Sequence, residues 1–249
     1  MPDVSLSLFI AAMLTFLLAG VVKGVTGMGL PTVAMAVLGA LASPLVAASL
    51  MIVPSFITNV WQLLAGRSLR PLLHRFWPML LAIMAGTILG SPLLAGGDAG
   101  MTTIMLGAAL ILYAGHALVA RQVDVPQRLE PWLSPVVGLA TGLVTGSTGI
   151  FVIPAVPYLQ ALGLGKDDLV QALGLSFTTS TIALAVGLGA HRGLQLESFL
   201  LSMLAIAPAL AGMWVGQRVR DMISPKAFRR AFLVCLLLLG VEMTLRSQL

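Results

Sequence analysis

The sequence predicts an all-α fold, a polytopic transmembrane helix bundle of two inverted pseudo-repeats with broken or re-entrant helices at two glycine-rich stretches. Three observations carry this expectation. The 249-residue chain is 58% hydrophobic and 9% charged, with a mean hydropathy of +1.01, whereas a soluble domain carries about 25% charged residues. Its apolar residues fall into ten segments, five on either side of a polar joint at 121–131. Each half holds one glycine-rich stretch, Gly20 to Pro31 in the first and Gly138 to Gly149 in the second.

Crossing a bilayer takes about 20 apolar residues, and the segments are read on that scale. The first runs from Val4 to Val22 and enters the glycine stretch; without a basic leader it reads as a span and not as a signal peptide. A short second segment, Leu30 to Ala42, precedes a third from Leu45 to Ala65 that contains Pro54. After the basic loop 67–75 come Phe76 to Ala95 and Met101 to Ala120. The joint 121–131 holds two prolines and four charges and divides the chain into a first repeat, 1–120, and a second, 132–249. The second half follows the same plan: Trp132 to Val144, Ile150 to Leu164, Leu169 to Ala190, Phe199 to Gly216 and Ala231 to Leu245. Gly20 and Gly24 match Gly138 and Gly142 at an offset of 118, and Gly86 and Gly90 match Gly212 and Gly216 at 126. These Gly-x-x-x-Gly pairs predict closely approaching helix backbones.

Basic residues set the orientation. The loops 67–75, 121–130, 166 and 218–230 hold eleven of the fourteen, leaving Lys23, Arg192 and Arg246. By the positive-inside rule these loops are cytoplasmic, so both termini are periplasmic and the halves are inverted. That holds whether each glycine-broken pair spans fully or re-enters. Trp61, Trp77, Trp132 and Trp214 lie near segment ends, as interfacial tryptophans do. The net charge of +5 belongs to these loops and gives no nucleic-acid signal.

The glycine stretches are expected to be unwound, which membrane depth tolerates only inside protein or beside a water-filled cavity. Lys23 stands in the first. Its ammonium either attracts an anionic substrate, with the amides of Gly24, Thr26, Gly27, Met28 and Gly29 completing a nest, or snorkels to an interface. Thr145, Gly146, Ser147, Thr148 and Gly149 hold the equivalent place in the second half. Their hydroxyls bind substrate oxygens or bond back to local carbonyls. Asn59 in the third segment and Ser176 and Thr179 in the eighth are the polar groups expected to line a path. Gln62, Thr178, Ser180 and Thr181 lie in the same two segments and either line a path or bond between helices, the threonines reading more as interhelical groups. His116 is a structural histidine or a proton relay. Cys235 reads as a small buried side chain. No metal-ligand spacing, nucleophile elbow or Walker loop is present, so no cofactor and no ATP-driven or enzymatic chemistry is expected.

Phe16 to Pro31, with Lys23-Gly24-Val-Thr26-Gly27-Met28-Gly29-Leu-Pro31, resembles the first signature of the TauE/SafE sulfite exporter family. Thr141 to Pro154 resembles the second, and the duplicated plan matches over nearly the whole chain. The resemblance implies a multi-pass transporter of a bacterial inner membrane. Its substrate would be a small sulfur-containing anion such as sulfite, sulfoacetate or another organosulfonate, with flux coupled to a proton or another ion. The partners are then that anion and the lipid bilayer, and the protein is a monomer or a homodimer. A passive anion channel is the nearest rival and an integral membrane assembly factor a more distant one.

Overall fold

The computed structural model describes residues 6–119, 124–191, 196–220 and 222–246. Arg121, Arg192 and the extreme termini, assigned above by charge, lie outside the described residues. Eleven α-helices are described: α1 Leu6–Thr26, α2 Leu30–Leu41, α3 Pro44–Leu64, α4 Leu69–Gly96, α5 Ala99–Val119, α6 Glu130–Thr148, α7 Ala155–Ala161, α8 Lys166–Ala190, α9 Leu196–Leu204, α10 Ile206–Arg220 and α11 Pro225–Arg246. Six helical stretches are long and apolar enough to cross a membrane, with α9 and α10 together forming one of them. Every predicted segment thus holds a helix, but four of them, α2, α6, α7 and α11, lie outside those six stretches, and two of the four are short. At 1.5 Å per residue, α2 is about 18 Å long and α7 about 10 Å, well short of a 30 Å hydrocarbon core.

The glycine stretches are less broken than expected. Helix α1 runs unbroken through Gly20, Lys23 and Gly24 to Thr26, and α6 runs through Gly138, Gly142 and Gly146 to Thr148. Unwinding is confined to Gly27–Gly29 and to the residues after Thr148, where Gly27 (φ 77°), Gly29 (φ 104°) and Gly149 (φ 72°) take the left-handed conformation that glycine adopts at little cost. Neighbouring backbones explain the continuity. A methyl built on Gly20 or Gly24 would strike the carbonyl of Ala209 or Met213 in α10, and one on Gly142 or Gly146 that of Ile83 or Thr87 in α4. These glycines serve close packing, and the van der Waals attraction between touching backbones offsets their poor helix propensity.

The halves interlock by exchange. Helix α1 packs on α10 and α6 on α4, while α3 packs on α8 and α5 on α11. Gly212 closes on the Leu17 carbonyl and Gly216 on that of Val21; Gly86 closes on Leu139 and Gly90 on Leu143 in the same way. Adding 122 to the α1 numbers and subtracting 126 from the α10 numbers turns one set of pairings into the other. The register is thus one helical turn away from the 118 expected, because α6 repeats glycine at 138, 142 and 146. The extra one, Gly138, closes on Met79, and its α1 counterpart is Phe16. Gly107 and Gly240 close on each other's carbonyls where α5 meets α11. This exchange is compatible with two inverted halves about a pseudo-two-fold axis.

The interior is filled by Phe16, Phe76, Phe151 and Phe177 with surrounding Leu, Met and Ala. The four tryptophans are exposed on the outside of the bundle. Cys235, expected inside, is exposed, because it lies on the outward face of α11. His116 is exposed as well.

Candidate functional site

Lys23 is 3% exposed. It lies one turn before the break, on the inner face of α1, so its side chain enters the bundle and does not reach an interface. The ammonium donates to Asn59 Oδ1 and, at 3.1 Å, to Thr58 Oγ1, both on α3. Among the described residues no carboxylate pairs with it. Thr58 can accept because its own hydroxyl proton goes to the Pro54 carbonyl at 2.8 Å, on the turn before it in the same helix. With Oδ1 turned to the ammonium, the Asn59 amide must present its N–H₂ on the other side. That group meets Thr181 Oγ1 of α8 at 3.4 Å, and the Thr181 hydroxyl donates to the Phe177 carbonyl at 2.7 Å. One directional chain of hydrogen bonds thus runs from α1 through α3 to α8, from the first half into the second. Every side chain in it is buried.

The 122-residue equivalence identifies the matching group in the second half. Lys23 corresponds to Thr145, Thr58 to Ser180 and Asn59 to Thr181. The turns after the helices agree. Thr26 Oγ1 donates to the Val22 carbonyl at 2.8 Å and accepts from the Met28 amide at 3.3 Å. Thr148 Oγ1 donates to the Val144 carbonyl at 2.6 Å and accepts from the Ile150 amide at 3.3 Å. The second half places hydroxyls where the first places a cation. Ser180 Oγ is buried without a hydrogen-bond partner among the described atoms.

The remaining predicted site residues divide. The amide nest at 26–29 is partly spent: the Gly27 amide donates to the Lys23 carbonyl at 2.8 Å and the Met28 amide to Thr26. Thr26, Gly27 and Met28 instead line a cavity bounded also by α8, α10 and α11. Thr145, Ser147 and Thr148 bond back to carbonyls of α6, as hydroxyls in a membrane helix commonly do. Gly24 and Gly146 are packing positions, and Gly29 and Gly149 are turn positions. Ser176 is buried in α8, and Thr179 bonds to the Leu175 carbonyl of its own helix at 3.0 Å. Thr58 and Thr181 are the members of the Lys23 chain that the sequence did not single out for binding. The signal for them was their place beside Asn59 and at its repeat equivalent.

At the loop end of the bundle, Arg75 of α4 forms a two-pronged ion pair with Glu130 of α6, at 2.6 and 2.7 Å. Ser134 and Tyr158 share a hydrogen bond of 2.7 Å beside it. Among the described residues, no group of three or more histidine, cysteine or acidic side chains could hold a metal.

A family model described as Sulfite exporter TauE/SafE matches residues 12–243, which include both glycine stretches and every residue of the Lys23 chain. Searches of curated proteins and of solved structures give no match.

Proposed function

The chain belongs to the sulfite exporter TauE/SafE family of membrane anion transporters, and on that premise we propose that it is a secondary transporter of sulfite, sulfoacetate or other organosulfonates. The anion binds at the Lys23 ammonium, beside the Asn59–Thr181 contact between the halves. The observation that carries this reading is a buried cation held by two neutral oxygens with no described carboxylate. A buried charge without a counter-ion is expensive. A site that must receive and release an anion needs that arrangement, because a resident carboxylate would compete with the cargo. Two of the three ammonium donors are placed on protein oxygens, and the third serves the substrate. Thr58 and Asn59 orient the ammonium, and Ser180 offers a hydroxyl from the opposite half.

Transport proceeds by alternating access. The α1–α10 and α4–α6 pairs are rigid because their backbones touch, so they rock as units about the α3–α8 contact. The halves are inverted in the membrane, with both termini periplasmic, and flux is coupled to a proton or another ion. A substrate panel in proteoliposomes tests the reading. Saturable uptake of sulfite or a sulfonate, accelerated by unlabelled anion on the opposite side, supports a carrier. Unsaturable flux without such exchange supports a pore.

A further inference from the structure

A cavity of about 270 Å³ lies beyond the end of α1. Its walls are Val25, Thr26, Gly27 and Met28 at the break, Gln160 of α7, Leu169, Val170 and Leu173 on α8, and Arg220, Lys226 and Arg229 at the α10–α11 corner. Three cations line it, and none of the described residues lining it is acidic. Two of these cations, Lys226 and Arg229, stand in the first turns of α11, where the helix end is itself electropositive and acidic residues are preferred. Local stability does not explain that choice. The fields of three side chains and a helix end add within one concave space, and such a space concentrates anions.

The cavity also adjoins the Lys23 chain along two helices. Thr26 and Gly27 follow Lys23 by about one turn of α1, roughly 5 Å along its axis. On α3, Gln62 follows Asn59 by one turn and donates to the carbonyl of Val170, a wall residue, at 2.8 Å. One turn of α1 therefore separates the cavity wall from Lys23, and on α3 one turn and the Gln62–Val170 hydrogen bond join that wall to Asn59.

We propose that this cavity is a second anion site, a cytoplasmic vestibule in which Arg220, Lys226 and Arg229 capture a free oxyanion before it passes to Lys23. The proposal rests on the transport reading above. Its occupant is a small, multiply oxygenated anion of the sulfite or sulfonate class, with Gln160 and the polar backbone at Thr26–Met28 as neutral partners.

The test uses the full chain in proteoliposomes of neutral phosphatidylcholine, with sulfite as the probe. The orientation of each variant is fixed by labelling an introduced periplasmic cysteine in a Cys235→Ser background. Arg220→Gln/Lys226→Gln/Arg229→Gln is compared with Arg218→Gln/Arg230→Gln, which removes charge from the same loop outside the cavity. The vestibule variant is expected to raise half-saturation for sulfite at the cytoplasmic face about tenfold. The maximal rate from the cytoplasmic face and half-saturation at the other face stay unchanged, detailed balance placing the compensating fall in the maximal rate of uptake from that other face, and the control stays near wild type. Equal effects of the two variants, or a rise in half-saturation that is equal at both faces, overturn the proposal. So does a defect that appears only when anionic phosphatidylglycerol is added, since the occupant is then a lipid headgroup. Absence of sulfite flux in the wild type sinks the transport reading itself. The vestibule is then judged alone by sulfite binding in detergent, which the vestibule variant must weaken and Lys23→Met must not.

Discussion

Asn59 and Thr181 touch each other at 3.4 Å where α3 meets α8, and they stand 122 residues apart, the same offset that carries the glycine pairings of α1 onto those of α6. Such a contact is compatible with two inverted halves that meet about a pseudo-two-fold axis at this point. Asn59 also accepts from Lys23, so the buried cation lies one hydrogen bond from the α3–α8 contact.

Asn59→Asp separates charge from shape. The carboxylate would keep the ammonium paired and hydrogen-bonded, so the protein should fold and purify like wild type. The resident anion would occupy the place of the cargo, and sulfite flux should fall at least tenfold. Asn59→Ala instead removes the acceptor and leaves a buried charge short of a partner, a loss of about 3 kcal/mol. Thermal unfolding in detergent and flux on the same preparations check both outcomes. Wild-type flux in Asn59→Asp would contradict the site.

The glycine faces make a second prediction, of different size at two positions. Gly216 has the Val21 carbonyl against it, and Gly216→Val should cost at least about 3 kcal/mol through overpacking, read as loss of a monodisperse peak in size-exclusion chromatography. Gly27 has nothing within 4 Å but a φ of 77°, so Gly27→Ala should cost only about 1 kcal/mol from backbone strain. Comparable losses at the two positions would mean that the exchange packing is not what holds the bundle.

The Arg75–Glu130 pair predicts a salt-dependent coupling. Its side chains are 35% and 12% exposed, so solvent screens it in part. A double-mutant cycle with Arg75→Gln and Glu130→Gln should give about 1 kcal/mol, above the median for exposed pairs because the contact is two-pronged. The value should shrink as salt rises from about 0.05 to about 0.5 M, where the Debye length drops below the size of the site. A coupling near zero at low salt would leave the pair without a role in joining α4 to α6.

Much of this was legible in the residues, and the misses have physical reasons. Segment positions followed from hydropathy because lipid demands uninterrupted apolar length. The Gly-x-x-x-Gly pairs announced close helix approach, but their register slipped by a turn because three glycines in α6 fit two in α1 equally well. The glycine stretches promised unwound backbone, yet composition cannot tell a glycine placed for flexibility from one placed for contact; α10 and α4 press on these glycines and keep both helices continuous. Lys23 was visible as a charge among apolar residues. Thr58 was not, since a threonine in a membrane helix usually satisfies itself on its own i−4 carbonyl. Thr58 does that too, and still accepts from Lys23 with its remaining lone pair.

The most direct measurement is sulfite flux in proteoliposomes with Lys23→Met beside wild type, each first shown to be folded by its melting curve. Methionine fills the same volume without charge, so stability should hold or rise, because a buried cation is replaced by an apolar chain. Flux should fall by about a hundredfold or more, as expected for loss of a desolvated charge contact of about 3 kcal/mol. A folded Lys23→Met protein that moves sulfite at the wild-type rate would contradict the account, since the anion would then be bound elsewhere.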